Sequence, residues 1–130
     1  MFILYILTIF YGIVISLFAY DYYRKRPAAH KIPLSFVIPC YNDGDTIEET
    51  IKSIYASYDR DLLELIVVND KSTDNSAHEI ALLQKKYAFT VLTNAHNIGK
   101  AASINQALEV VKHDIMVVID ADTIINPRAL

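Results

Sequence analysis

The chain has 130 residues, a formal net charge of -3 and 53% hydrophobic residues, above the roughly 45–50% of an ordinary soluble domain. With 12 Lys and Arg against 15 Asp and Glu there is no basic excess of the kind that nucleic acid selects. The single cysteine, Cys40, excludes an intramolecular disulfide and a cysteine-based zinc site; it reads as a small buried side chain at a strand end.

The hydrophobic surplus is concentrated at the N-terminus. Residues 2–20 carry no charge, and only Thr8, Gly12 and Ser16 interrupt the apolar run. As a helix this stretch spans about 28 Å, close to the ~30 Å hydrocarbon core of a bilayer. Tyr20, Tyr22 and Tyr23 follow, then Arg24-Lys25-Arg26, the aromatic and cationic order of a membrane exit. A secretory signal is the competing reading, but it wants a positive charge ahead of a shorter apolar region and a small-residue cleavage site after it. Only Met1 precedes the run, and Ala19-Tyr20-Asp21 is a poor site. Residues 1–23 therefore read as a transmembrane anchor in the cell (plasma or inner) membrane. The positive cluster places the soluble part in the cytoplasm. Residues 24–33, with Pro27 and Pro33, read as an extended cytoplasmic linker in which His30 is solvated.

The remaining residues, about a hundred, can bury one modest core and no more than one domain. Residues 34–38 form an apolar strand ended by Pro39. A helix follows in which Thr46-Ile47-Glu48-Glu49 reads as a capping box and Ile47, Ile51, Ile54, Tyr55 and Tyr58 share a face. Residues 62–68 form the second strand. A polar turn at 69–75 leads into a helix ending near Tyr87, with Ser76 and Glu79 as a capping pair and Ala77, Ile80, Ala81 and Leu83 or Gln84 inward. Residues 89–92 form a short third strand, and a helix over 100–112 carries Ala101, Ile104, Leu108 and Val111 as its stripe. The fourth strand, 115–119, is apolar and β-branched throughout, as in a strand buried on both faces. This alternation predicts an α/β fold, a parallel Rossmann-like sheet with right-handed crossovers.

In such sheets ligands bind beyond the carboxyl ends of the strands, and every polar cluster falls there. Tyr41, Asn42 and Asp43 follow the first strand, Asp70 the second, Asn97, Gly99 and Lys100 the third, and Asp120 with Asp122 the fourth. Alone, Asp120-Ala121-Asp122 also reads as a strand end and a cap for a short helix at Asn126-Pro127. If the backbone stays extended, however, both carboxylates point the same way, and two like charges so placed suit a hard divalent cation such as Mg2+ or Mn2+. A lysine and free N–H groups at a helix start suit phosphate, and Gly99 suits close backbone approach. Neither a dinucleotide fingerprint nor a P-loop motif is present. The residues thus describe a tethered α/β module with a metal–diphosphate site.

Taken together, Val37-Ile38-Pro39-Cys40-Tyr41-Asn42, Ile66-Val67-Val68-Asn69-Asp70-Lys71-Ser72-Thr73-Asp74, Asn97-Ile98-Gly99-Lys100 with Asn105 and Leu108, and Ile119-Asp120-Ala121-Asp122 resemble the family-2 glycosyltransferases over residues 34–130. The resemblance implies the N-terminal nucleotide-binding half of a GT-A fold. A single span ahead of it is most similar to processive synthases of the poly-N-acetylglucosamine, chitin or hyaluronan type. It further implies a UDP-sugar donor and inverting transfer. Tyr41 would lie near the uracil ring, Asp70 would accept a hydrogen bond from it, and Asp43 would contact the nucleotide at the mouth. Lys100 would lie near the diphosphate, Asp120 would contact ribose and metal, and Asp122 would bind the metal, Mg2+ or Mn2+.

Two departures from the family pattern stand out. Lys71 occupies the place of a glycine, so a residue with a Cβ must take up that turn geometry. The sequence also ends eight residues after Asp122, whereas the family places its general base and acceptor-binding elements further on; no catalytic residue is assigned. The expected partners are the donor, the membrane, and a C-terminal half or larger synthase complex. Beside the enzyme reading stand a non-catalytic sugar-nucleotide-binding or interaction module and an inactive remnant.

Overall fold

The computed structural model describes residues 1–23 and 32–127. The chain divides into two units, Met1–His30 and Lys31–Leu130. In the first, α1 (Phe2–Tyr23) is 22 residues long, a rise of about 33 Å. Its Leu4–Asp21 stretch is long and apolar enough to cross a membrane. Leu4, Tyr5, Ile6, Phe10, Ile13, Leu17 and Phe18 are all exposed, so the apolar surface runs round the helix. Of the expected linker at 24–33, only Ile32 and Pro33 fall among the described residues; Arg24-Lys25-Arg26 and His30 lie outside them.

The second unit comprises β1 (Leu34–Cys40), α2 (Ile47–Ser57), a 3-10 turn (Arg60–Leu62), β2 (Leu63–Asn69), α3 (Ser76–Gln84), β3 (Thr90–Thr93), α4 (Lys100–Leu108) and β4 (Met116–Val118). The four strands form one parallel sheet in the order β3-β2-β1-β4. Period-two alternation sends Phe36, Ile38, Cys40, Leu65 and Val67 to one face, where they pack with Ile47, Ile51, Ile54, Ile80 and Leu83 of α2 and α3. Val37, Ile66 and Val68 go to the other face and pack with Ala107 of α4. The chain steps outward from β1 to β3 with its helices on one face, then returns to the far side of β1. A connection that keeps its hand must change face when the direction reverses, and α4 does so. The gap between the ends of β1 and β4 is therefore a topological switch point, where open α/β sheets bind ligands.

Several local expectations differ from what the fold shows. β1 continues through Pro39 to Cys40. Ser35 N donates to Ile115 O and Val37 O accepts from Ile119 N, each at 3.0 Å, so by alternation the Pro39 nitrogen also faces the β4 side. There β4 has already ended, and no ladder bond is lost. β2 and β3 each run one residue later than expected. β4 spans three residues and is not buried on both faces: Val118 is 38% exposed, because among the described residues β4 pairs with β1 alone.

The helix stripes also rotate. In α3 the buried residues are Ser76, Ile80 and Leu83, with Ala77, Ala81 and Gln84 exposed. In α4 they are Ser103 and Ala107, while Ala101 and Leu108 are exposed and the helix ends at Leu108. Small Ser103 and Ala107 let α4 approach the sheet, and a serine that buries its hydroxyl in a hydrogen bond does not register in a hydropathy pattern. Only the α2 face matches its expected stripe, with Ile47, Ile51, Ile54 and Tyr58 buried. Tyr55, half-buried, stacks on Tyr87 at 4.8 Å between ring centroids. Neither capping box forms: the Thr46 side chain bonds to Asp43 O, and Asp74 serves the α3 start.

Candidate functional site

The carboxyl-terminal side of the sheet opens on a cavity of about 240 Å³ lined by Pro39, Cys40, Tyr41, Asp43, Asp70, Lys100, Asp120, Ala121 and Asp122. All six candidate residues from the sequence are on that lining. Each reaches it by a different local device.

Tyr41 and Asp43 sit in the loop between β1 and α2. Asn42 takes a left-handed backbone, φ 60°, which asparagine tolerates better than most residues. Asp43 Oδ2 accepts from Tyr41 N at 2.9 Å, which folds the loop back on itself and leaves the Tyr41 ring 46% exposed.

Asp70 is 3% exposed, yet it is charged and satisfied. Oδ1 accepts from Asn94 Nδ2 at 2.7 Å and Ile98 N at 2.8 Å, and Oδ2 accepts from Gly99 N at 2.8 Å. Burial pushes its carboxyl up, but the Asn94 amide, the Ile98 and Gly99 N–H groups and the Ser103 hydroxyl outweigh that and hold it below the ordinary range. Asp70 thus ties the end of β2 to the loop that starts α4. Asn94, itself buried, also donates to Ser103 Oγ at 3.1 Å. The next residue, Lys71, adopts φ 59°, the turn geometry a glycine would take without cost. Ser72 N donating to Asn69 Oδ1 at 2.9 Å supports it.

Gly99 opens α4 with φ 86° and ψ 159°, a conformation essentially reserved for glycine. A Cβ there would meet nothing within 4 Å. The glycine is therefore required by its dihedral angles. Lys100 follows, and its Nζ is ion-paired with Asp120 Oδ1 across the cavity.

After β4 the backbone turns, with Thr123 N donating to Asp120 O at 3.0 Å. The extended geometry expected for Asp120-Ala121-Asp122 is not found, and the expected helix at Asn126-Pro127 falls largely outside the described residues, which end at Pro127. The turn is instead pinned from its middle. Ala121 is 4% exposed and its carbonyl accepts from the buried Thr50 Oγ1 at 2.8 Å. Ile125 N donates to Ser53 Oγ at 3.0 Å. With Ala121 held inward, both aspartates are exposed and on the cavity lining.

Cys40, on the floor, is fully buried. Burial is the main influence raising its thiol above the ordinary value, so it is a neutral side chain and not a nucleophile. Among the described residues no three His, Cys, Asp or Glu side chains cluster to cage a metal. Two exposed carboxylates are a hard, incomplete donor set. That fits an ion such as Mg2+, which takes one or two carboxylates and fills its remaining positions with phosphate oxygens and water. Asn94, Ser103, Thr50, Asp74 and Ser76 were not picked out as site-building residues. Their one sequence signal is a short polar side chain near a strand or helix end, which also describes ordinary turns.

The family model described as "Glycosyl transferase family 2" matches residues 35–130. The poly-beta-1,6-N-acetyl-D-glucosamine synthase of Staphylococcus aureus (strain MSSA476) is 33% identical over 129 residues, 92% of this chain and 31% of the synthase. That of Staphylococcus epidermidis is 32% identical over 96 residues, 74% of this chain and 23% of its own length. The chain thus spans a third or less of these relatives. Among solved structures, mannosyltransferase PcManGT from Pyrobaculum calidifontis, in complex with GDP-Man and Mn2+, superimposes with a TM-score of 0.67 at 27% identity, covering 85% of this chain and 35% of that one. S. aureus TarS 1-349 in complex with UDP-GlcNAc gives 0.68 at 26% identity, covering 74% and 28%.

Proposed function

The chain belongs to glycosyl transferase family 2, and we propose that its cavity binds the nucleoside diphosphate part of a sugar-nucleotide donor together with Mg2+ or Mn2+. The observation that carries this is the shared lining: an exposed aromatic ring, a lysine and paired exposed aspartates converge at the switch point of a parallel sheet. Tyr41 offers its ring to the base, and Asp43 contacts the nucleotide at the mouth. Asp70 Oδ2 accepts one N–H and keeps a lone pair that suits the imide donor of uracil. Lys100 serves the diphosphate. Asp120 takes ribose and metal, and Asp122 the metal. A bound divalent ion neutralises charge on the diphosphate and so improves it as a leaving group. Lys100, now paired with Asp120, exchanges that partner for phosphate when the donor and ion arrive.

The likeness to poly-N-acetylglucosamine synthases and to TarS with UDP-GlcNAc makes UDP-N-acetylglucosamine the donor of choice. We assign α1 as the membrane anchor and the donor site to the cytoplasmic side. Inverting transfer also requires a base for the acceptor's proton; no residue of this chain is proposed for that role. The test is calorimetric titration of the full chain, in detergent, with UDP and UDP-N-acetylglucosamine. Binding is expected with Mn2+ and not in its absence, and is lost in Asp122→Ala. Equal binding with and without metal, or an unaffected Asp122→Ala, overturns the reading.

A further inference from the structure

The loops that precede α2 and α3 are laced together. Asn42 N donates to Ser72 Oγ at 3.1 Å, and Thr73 N donates to Asn42 Oδ1 at 2.8 Å. Asp43 N donates to Ser76 Oγ at 3.0 Å, and Gly44 N donates to Asp74 Oδ2 at 3.1 Å. The other Asp74 oxygen, Oδ1, accepts from Ser76 N at 2.9 Å and Ser76 Oγ at 2.5 Å. The Ser76 hydroxyl is fully buried and spends its proton on Asp74, which turns its lone pairs to the Asp43 N–H. Asp43 in turn holds Tyr41 N through its carboxylate. A continuous path therefore runs from Asp74 through Ser76 to Asp43 and Tyr41, and bonds in such a chain strengthen one another.

The approach of the two loops is close. A Cβ on Gly44 would stand 2.0 Å from Asn75 Oδ1 and 2.9 Å from Ser76 N. The second contact is backbone and cannot swing away. Burial raises the Asp74 carboxyl, but the Ser76 hydroxyl and the Ser76 and Gly44 N–H groups together hold it below the ordinary carboxylate range. Asp74 and Ser76 are not on the cavity lining, whereas Tyr41 and Asp43 are.

We propose that Asp74 is a positioning residue: through Ser76 and Gly44 it fixes the loop that presents Tyr41 and Asp43 to the nucleotide, without touching the ligand. This rests on the reading of the cavity as a nucleotide site, and the two are separable by experiment. Amide exchange and UDP titration with Mn2+ are measured on the full chain and on Asp74→Ala. The Asp43 and Gly44 amides are expected to exchange at least roughly tenfold faster while those of β1 and β2 keep their protection. UDP affinity is expected to fall roughly five- to thirty-fold. Should Asp74→Ala fail to fold, Ser76→Ala replaces it. That variant frees the Asp43 N–H, leaves Gly44 on Asp74, and is expected to accelerate Asp43 alone and to weaken UDP. Unchanged exchange at Asp43 and Gly44, exchange raised evenly across the sheet, or undiminished UDP affinity after the protection is lost each overturns the proposal. If the unaltered chain binds no UDP, the nucleotide reading falls, and the exchange result alone decides whether Asp74 holds the loop.

Discussion

Asp70 and the Asp120–Asp122 pair line the same cavity and are built on opposite principles. Asp70 is 3% exposed and accepts three hydrogen bonds. Asp120 and Asp122 are exposed on a turn whose own anchor is the alanine between them. A buried carboxylate surrounded by donors is fixed in place and contributes mainly to shape. An exposed pair is open to a ligand, Asp120 by giving up its ion pair with Lys100. The difference separates an aspartate committed mainly to the fold, with one lone pair left for a base, from a pair whose carboxylates stand exposed on the cavity, although all are aspartates at a strand end.

Breaking the buried partner tests that division most severely. Asp70→Ala leaves the Asn94 amide and the Ile98 and Gly99 N–H groups without their acceptor, and is expected to cost about 3 kcal/mol of unfolding free energy. Denaturant unfolding in detergent measures it; a loss below about 1 kcal/mol would mean that these three hydrogen bonds do not hold the fold. Gly99→Ala comes next, at about 2 kcal/mol. Its cost arises from φ 86°, ψ 159° and not from a clash, so Gly99→Ser should cost nearly as much. The mirror experiment is Asp122→Ala: stability within about 0.5 kcal/mol of the parent with metal-dependent UDP binding abolished. Stability lost together with binding would erase the contrast.

Acid provides a milder probe. Asp70 and Asp74 both have carboxyls held below the ordinary value in the folded chain. Their contribution to stability is therefore complete above the unfolded-state carboxylate value and is lost as pH falls through the folded one. Unfolding free energy should decline with acidification over that window, and the decline should be shallower in Asp70→Asn. The smallest effect belongs to Lys71→Gly, which relieves the left-handed φ of 59° and should raise stability by up to about 1 kcal/mol, less the entropy that glycine adds to the unfolded chain.

The order of strands and helices was legible because apolar runs, β-branched residues and turn chemistry repeat with short spacing. The candidate lining was legible because strand ends in a parallel sheet share one rim, so residues far apart in sequence, from Tyr41 to Asp122, could be gathered by topology alone. The faces of α3 and α4 were not. Ser76 and Ser103 are buried by hydrogen bonds to Asp74 and Asn94, and hydropathy counts them as solvent-facing. The caps misled for a related reason: Thr46 and Ser76 have the right identity, but their hydroxyls are turned to Asp43 O and Asp74 Oδ1 and accept no N–H of their own helix.

By itself the sequence determined an apolar N-terminal helix, a parallel α/β unit and the residues at its rim, because those follow from composition, periodicity and chain direction. Tertiary structure alone decided which aspartate is held by the fold and which stand exposed on the cavity, Asp120 there paired with Lys100. That choice depends on donors brought from elsewhere in the chain: Asn94, Ile98 and Gly99 of the loop before α4 converge on Asp70, whereas the Thr50 hydroxyl of α2 goes to the Ala121 carbonyl and leaves the carboxylates of Asp120 and Asp122 facing the cavity.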